Sequence, residues 1–259
     1  MNKIVVVIPT HKENLNLFEL ISLNQVVKVL KNYDIYILCP KKNNSNKYIN
    51  LHKNLKIIKF DNKYFNNIDS YNKFKLSNAF YSTFKKYDYI LTYELDAFIF
   101  KDDIEKWINL GYDYIGAPWF ENFNEGYSNK LIGVGNSGFS IRHRLNTLNH
   151  LRQYFNPTQK KLFKNVFFKS FDSKLEKYPN VFEDWFISNR LASFKTYKIA
   201  PIDKALQFSF EYQPEKMFSL NQNQLPTGCH AWWRYNYNFW KPYIEKEGYI
   251  LPEQISDII

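Results

Sequence analysis

The feature that most limits the fold is a β-branched run near the start, residues 3–8 (KIVVVI), which stops at Pro9-Thr10-His11. An apolar run of this length without polar alternation suits a strand buried on both faces, as in a parallel sheet covered by helices. The pattern recurs: residues 34–38 (DIYIL) stop at Cys39-Pro40, residues 55–60 (LKIIKF) form a third run, and residues 87–93 (YDYILTY) lead into Glu94-Leu95-Asp96. Between the runs lie two stretches of helical spacing, 14–30 with Asn14 placed as its cap, and 70–84 with Phe74, Ala79, Phe80 and Phe84 facing inward. This β-α-β-β-α-β order predicts an open, mostly parallel α/β sheet flanked by helices and joined by right-handed crossovers.

The rest of the chain is less regular. The pattern predicts a helix over 102–110 capped by Asp102 or Asp103, a strand over 112–115, a polar loop over 121–130 and a strand over 139–141. Helices follow at 142–155 and 183–192, then strands at 196–200 and 206–210. No internal repeat or Gly/Ser linker interrupts the chain, so residues 1–259 are expected to form one domain whose C-terminal third covers the site. With 19% aromatic residues in periodic blocks, disorder is excluded. Cys39 and Cys229 are the only cysteines, which excludes a disulfide scaffold and suits a reducing compartment. The early apolar run is far shorter than the roughly 20 residues of a membrane span or the apolar region of a signal peptide, so the expectation is a cytoplasmic protein. The net charge of +10 favours anionic partners: nucleotides, phosphates, acidic lipids or nucleic acid. Part of the Lys excess accompanies the abundant Asn, Ile, Tyr and Phe of an AT-rich coding sequence and needs no functional explanation.

Four motifs carry chemistry. Glu94 and Asp96 end an apolar strand and, by period-two alternation, share one side of it, where oxygen ligands suit Mg2+ or Mn2+. Helix capping or pairing with Lys accounts for such acids equally well. Residues 133–140 (GVGNSGFS) hold three glycines in six positions, which permits close backbone approach to a ligand, or simply a glycine-rich hairpin. Glu183 and Asp184 open a helix beside Trp185 and Phe186; one of them fits a general base with a raised pKa, and either fits a first-turn acid that stabilises the helix dipole. His230, within residues 228–233 (GCHAWW), is a candidate ligand to the same ion or a hydrogen-bonded core histidine. The aromatic tail that follows suits sugar stacking or packing.

Taken in this order, the motifs resemble those of nucleotide-sugar glycosyltransferases of the GT-A fold, particularly a bacterial family of capsule and surface-polysaccharide gene clusters. The matching stretches are VVVIPTHKE, YDYILTYELDAFIF, YDYIGAPW, GVGNSGFS, FEDWF and GCHAWW, and the resemblance covers residues 4 to about 240, nearly the whole chain. One departure is Glu94, where the Asp-x-Asp element has an aspartate; Asp96 is then the safer metal ligand, with Glu94 acting through water or the ribose. The resemblance implies a UDP-sugar transferase, with galactose the first guess for the donor hexose. Residues 1–100 would form the nucleotide-binding half and 101–259 the acceptor and catalytic half. Pro9, Thr10 and His11 would line the uracil and ribose pocket, and Lys73 or Lys75 would reach the diphosphate unless both are solvated helix lysines. Asp96 and His230 would hold Mn2+ or Mg2+, and Asn136, Ser137 and Gly138 would meet sugar hydroxyls. Asp184, or failing that Glu183, would deprotonate the acceptor hydroxyl for displacement with inversion; the sequence leaves retention open.

Residues 159–174 (QKKLFKNVFFKSFDSK) interleave Lys with Phe. That composition suits an interfacial helix on anionic lipid, where a lipid-linked saccharide acceptor resides, or a surface helix packed on the domain. Three other readings are weighed. A nucleic-acid-binding protein would use the positive charge, but no RNA-binding or zinc-finger signature is present and the basic residues are scattered, so no nucleic acid is expected. A nucleotidyltransferase generally carries a glycine-rich basic signature after the first strand, where this chain has IPTHKEN. The last is a catalytically inactive nucleotide-sugar-binding module.

Overall fold

A computed structural model describes residues 3–121, 128, 130–157 and 171–254. The first half is built from β1 (Ile4–Pro9), α1 (Leu17–Val29), β2 (Asp34–Pro40), α2 (Asn46–Leu51), β3 (Lys56–Phe60), α3 (Ile68–Leu76), α4 (Asn78–Thr83) and β4 (Tyr89–Tyr93). Then follow β5 (Phe98–Ile99), α5 (Ile104–Asn109), β6 (Tyr114–Ile115), β7 (Pro118–Phe120), β8 (Leu131–Val134), β9 (Phe139–His143) and α6 (Arg144–Phe155). Beyond residue 170 come α7 (Asp172–Glu176), α8 (Glu183–Trp185), α9 (Ile202–Phe208), β10 (Ser209–Phe210), α10 (Pro214–Leu220), β11 (Gly228–Cys229) and α11 (Tyr237–Lys246).

Six strands form the central sheet in the order β3-β2-β1-β4-β9-β6, with β1 to β4 parallel and β9 antiparallel to both of its neighbours. Alternation along β1 divides the core. Val6 and Ile8 pack with Leu23, Val26 and Trp107 on one face, while Val5 and Val7 pack with Phe74, Phe80 and Leu148 on the other. Both faces are covered by helices, as the unbroken β-branched run predicts. The chain leaves β1 for β2 on one side, and β4 lies on the other, so the carboxyl ends of β1 and β4 flank the crevice where such sheets bind ligands.

A second, three-stranded sheet, β10-β11-β5, joins segments more than a hundred residues apart. Phe210 pairs with Cys229 and Cys229 with Phe98. One residue further along each strand, this register brings Glu211, His230 and the Asp96-Ala97 step side by side. Behind it, Phe18, Phe98, Phe210, Trp232 and Trp240 form an aromatic cluster that anchors the C-terminal segment to α1. Most of the aromatic tail is therefore packing.

Several local expectations are corrected. Asn16 rather than Asn14 caps α1, in a reciprocal capping box with Glu19 (2.9 and 3.0 Å). The predicted helix 70–84 is two helices, because Ser77 is extended (ψ 154°) and its hydroxyl caps α4 through the Phe80 N–H. Asp103 makes no capping bond to α5 and instead accepts from Trp107 Nε1 and Thr227 Oγ1. Residues 196–200 make a single bridge, Ile199 to Tyr114, in place of a strand. The strand expected at 206–210 is mostly α9, with Pro201 at its start and Asp203 in its first turn. The helix at 183–192 widens after Trp185 into a π-helical turn, Phe186–Leu191. Most of the Lys/Phe segment lies outside the described residues, as does most of the polar loop at 121–130.

Candidate active site

Glu94 and Asp96 leave β4 directly into the crevice. The Glu94 N–H donates to the Gly138 carbonyl at 2.7 Å, tying this turn to the glycine-rich segment. His230 arrives from the second sheet, its N–H on the Phe210 carbonyl at 2.9 Å. The imidazole Nε2 then lies 3.0 Å from Asp96 Oδ1 and 3.5 Å from Glu94 Oε2. Its Nδ1 lies 3.0 Å from Glu211 Oε1, and Glu211 Oε2 accepts from Asn136 Nδ2. Burial opposes a charge on His230, but Asp96, Glu211 and Glu94 outweigh it and raise its pKa well above the ordinary value. The Gly138 backbone presses against the ring: a Cβ there would lie 2.1 Å from the imidazole, so only glycine fits. After His230 the chain turns through Ala231, left-handed at φ 52°, and the Trp232 N–H returns to the Asp96 carbonyl.

Beneath Glu94 is a buried ionic chain. The Lys75 amine, with only 3% of its side chain exposed, sits 2.8 Å from Glu94, 2.9 Å from the Ser137 hydroxyl and 3.3 Å from Glu183. Burial works against the Lys75 charge, yet Glu94 and Glu183 together hold its pKa above the ordinary value. Burial likewise works against the Glu94 charge, but Lys75 and His230 prevail and hold it well below the usual carboxylate range, and the Tyr71 hydroxyl donates to it at 2.8 Å. Glu183 pairs at its other oxygen with Arg142 at 2.5 Å, both side chains fully buried. Asp184, the next residue, is half-buried and has no such cation among the described residues. Burial and then the Glu183 charge push its carboxyl up to about 6, while Lys75 pulls it down and Glu211 adds to the rise.

A cavity of about 470 Å³ opens over this cluster. Its lining includes Thr10 and His11 from the end of β1, Tyr71 from α3, Glu94 and Asp96 from β4, and Trp233 and Arg234 from the C-terminal segment. Arg234 is 64% exposed and reaches Asp96 Oδ2 at 3.3 Å.

Residues 54–230 match the family described as DUF5672, protein of unknown function. The chain belongs to the DUF5672 family. By sequence, this DUF5672 protein is similar to no curated protein. By structure it is similar to the galactosyltransferase LgtC in complex with donor and acceptor sugar analogs, at 10% identity and a TM-score of 0.56 over 96% of this chain and 97% of LgtC. It is also similar to the bifunctional glycosyltransferase WbbM (12% identity, TM-score 0.54, 95% of this chain and 51% of WbbM). Mouse xyloside xylosyltransferase 1 is a third such structure (11% identity, TM-score 0.52, 88% of this chain and 97% of the mouse chain). The DUF5672 chain thus has the GT-A glycosyltransferase fold, a mostly parallel six-stranded sheet between helices.

The sites expected from the DUF5672 sequence sort into those the fold gathers and those it does not. Thr10, His11, Glu94 and Asp96 line the cavity, and His230 meets Glu94 and Asp96 without lining it, whereas Pro9 is buried in β1 and is not among the lining residues. Lys73 is not at the cluster: it pairs with Asp69 at 2.7 Å and donates to the Glu176 carbonyl beside a separate groove. Lys75 is at the cluster, buried among Glu94, Ser137 and Glu183. Asn136 and Ser137 are both buried and bind Glu211 and Lys75, and Gly138 makes room for the His230 ring. Glu183 is the counter-ion of Arg142 and Lys75 and is not available as a base. Tyr71, Arg142, Glu211 and Arg234 were not anticipated.

The donor set fits a divalent cation. Glu94, Asp96 and His230 each present a ligand atom within 4.8 Å of the others. His230 Nε2 is buried and, despite its closeness to Asp96, has no hydrogen bond of acceptable geometry among the described residues.

Proposed function

We propose that this protein is a metal-dependent glycosyltransferase that moves a hexose from a UDP-sugar to a saccharide or lipid-linked saccharide acceptor in bacterial surface-polysaccharide synthesis, with inversion. One observation carries the reading: acids at the end of β4 and a histidine from the far end of the chain meet beneath a cavity at the switch point of a GT-A sheet. Residues up to about 100 supply the nucleotide side of that cavity, and the remainder supplies the histidine, the base and the covering segment.

Thr10 and His11 would face the uracil and ribose, and Arg234 offers the diphosphate an exposed cation. Asp96 and His230 would hold Mn2+ or Mg2+, with Glu94 in reach. A cation bound there neutralises charge developing on the departing diphosphate, a Lewis-acid role worth several kcal/mol. Asp184 takes the proton of the acceptor hydroxyl as its oxygen bonds to the anomeric carbon and the bond from that carbon to UDP breaks. A carboxyl whose pKa lies near 6 is ionised at neutral pH yet basic enough for that transfer. Galactose is the first donor to test.

The experiment is a donor screen by UDP release with Mn2+ present, repeated on Asp96→Ala and Asp184→Ala. The reading stands if Asp96→Ala loses metal-dependent donor binding and Asp184→Ala binds donor but transfers poorly. It falls if both variants keep full turnover.

The Lys/Phe segment at 159–174 is proposed to rest on the inner face of an anionic membrane, close to a lipid-linked acceptor, in an otherwise cytoplasmic protein. Among the described residues no helix is long and apolar enough to cross a membrane. Liposome flotation at low salt that leaves the protein unbound would rule this contact out.

A further inference from the structure

The His230 imidazole has carboxylates on both of its nitrogens, and the two sides are built differently. On the Nε2 side are Asp96 and Glu94, which border the cavity. On the Nδ1 side is Glu211, which is buried and absent from the cavity lining. We propose that Glu211 is a positioning residue of the ion site, holding the His230 ring in the tautomer and rotation that turn Nε2 toward the space it shares with Asp96 and Glu94, where an ion would sit. The proposal rests on the reading of Glu94, Asp96 and His230 as an ion site.

A neutral imidazole has one N–H and one lone pair, and the partner of one nitrogen decides what the other presents. Glu211 Oε1, 3.0 Å from Nδ1, accepts the Nδ1 proton, which leaves Nε2 as the ligating atom. Glu211 is itself held in place. Its second oxygen accepts from Asn136 Nδ2, and Asn136 is fixed by its left-handed backbone (φ 48°) and by the Gly138 N–H, which donates to its side-chain oxygen at 3.3 Å. Gly138 then lies against the Nε2 end of the ring, so the imidazole is held at Nδ1 by Glu211 and confined at its other end by backbone. Both Glu211 oxygens are committed to these partners, and the clustered ligand atoms come from Glu94, Asp96 and His230 without it. Glu211 therefore acts through His230 and not as a ligand. A carboxylate that orients a ligating histidine in this way also raises its basicity.

The test is direct Mn2+ binding by electron paramagnetic resonance, without donor or acceptor, on the full chain and on Glu211→Ala, Glu211→Gln, Asn136→Ala and His230→Ala, with folding checked by circular dichroism. Glu211→Ala is expected to weaken Mn2+ binding about 10–100-fold. Glu211→Gln, which can still accept the Nδ1 proton, should recover part of that loss, and Asn136→Ala should lose less than Glu211→Ala. If Glu211→Ala does not fold, the Glu211→Gln and Asn136→Ala pair decides: affinities equal to the full chain's overturn the proposal. Should folded Glu211→Ala bind Mn2+ as the full chain does while His230→Ala does not, Glu211 has no positioning role, yet the ion site stands. Should the full chain and His230→Ala both fail to bind Mn2+, the ion-site reading falls and takes this proposal with it.

Discussion

Two acidic pairs meet at this site, and the fold treats them in opposite ways. Glu94 and Asp96 lie two residues apart at a strand end, so both carboxylates face the same side and share His230. Glu183 and Asp184 are adjacent on a helical turn, where neighbouring side chains diverge by roughly 100°. One is driven into the core and neutralised by Arg142 and Lys75; the other is left without a cation of its own. The strand-end pair thus shares the His230 imidazole, whereas the helix pair divides into a buried counter-ion and an acid with a raised pKa. Four similar residues acquire three electrostatic roles from their neighbours alone.

The sharpest way to break this contrast is to neutralise the two members of the helix pair separately. Asp184→Asn should lower kcat about 10²–10⁴-fold, the usual contribution of a general base, while metal-dependent UDP binding is retained. The pH profile adds a second check. Because the Asp184 carboxyl is raised to about 6, wild-type turnover should rise as pH increases through 6, and that acid limb should vanish in Asp184→Asn. The same shift has the opposite sign for stability: the folded state holds this proton more tightly than the unfolded chain, so stability from this group is lost as pH rises from about 4 through 6. Asp184→Asn should therefore raise the melting temperature at pH 8 relative to wild type, and not at pH 4.

Glu183→Ala should instead damage the fold. It leaves the buried Arg142 and Lys75 charges without their shared partner, a loss of about 3–5 kcal/mol. Thermal melting should fall by on the order of 10 °C. A variant that melts normally and loses only turnover would mean that Glu183, and not Asp184, is the base. On the strand-end pair, Asp96→Ala should reduce Mn2+-dependent UDP affinity about 100-fold, the equivalent of losing ~3 kcal/mol of charge stabilisation; calorimetric titration reads this directly. The smallest effect is expected at Lys73→Ala. Its pair with Asp69 is partly exposed and away from the cluster, so both melting and UDP affinity should stay within about 1 kcal/mol of wild type. An effect on UDP affinity as large as that of Asp96→Ala would return Lys73 to the diphosphate.

Much of the frame was legible in the chain because its signals are local. The alternation of Val5, Val6, Val7 and Ile8 between two cores follows from the pleat, and the parallel order follows from runs that leave no polar face. Local signals that were present but outweighed explain the shifted elements. Ser77 and Asn16 are good caps in competition with longer apolar patterns, and Pro201 with Asp203 opens a helix where the apolar residues alone suggested a strand. Glu211 had no signal to read. It is one acid in the stretch SFEYQPE, and what sets it beside His230 is the pairing of Phe210 with Cys229 in a two-residue strand.

What the sequence by itself determined is the doubly covered sheet, the crevice at the ends of β1 and β4, and the residue types able to bind an ion and take a proton. Strand alternation, helix periodicity and chain order act over a few residues and survive any tertiary arrangement. Which acid shares His230, which pairs with buried cations and which keeps a raised pKa was decided only by the assembled structure. A carboxylate's charge state depends on burial and on cations a few ångströms away, and here Lys75, Arg142 and His230 come from elements scattered along the whole chain.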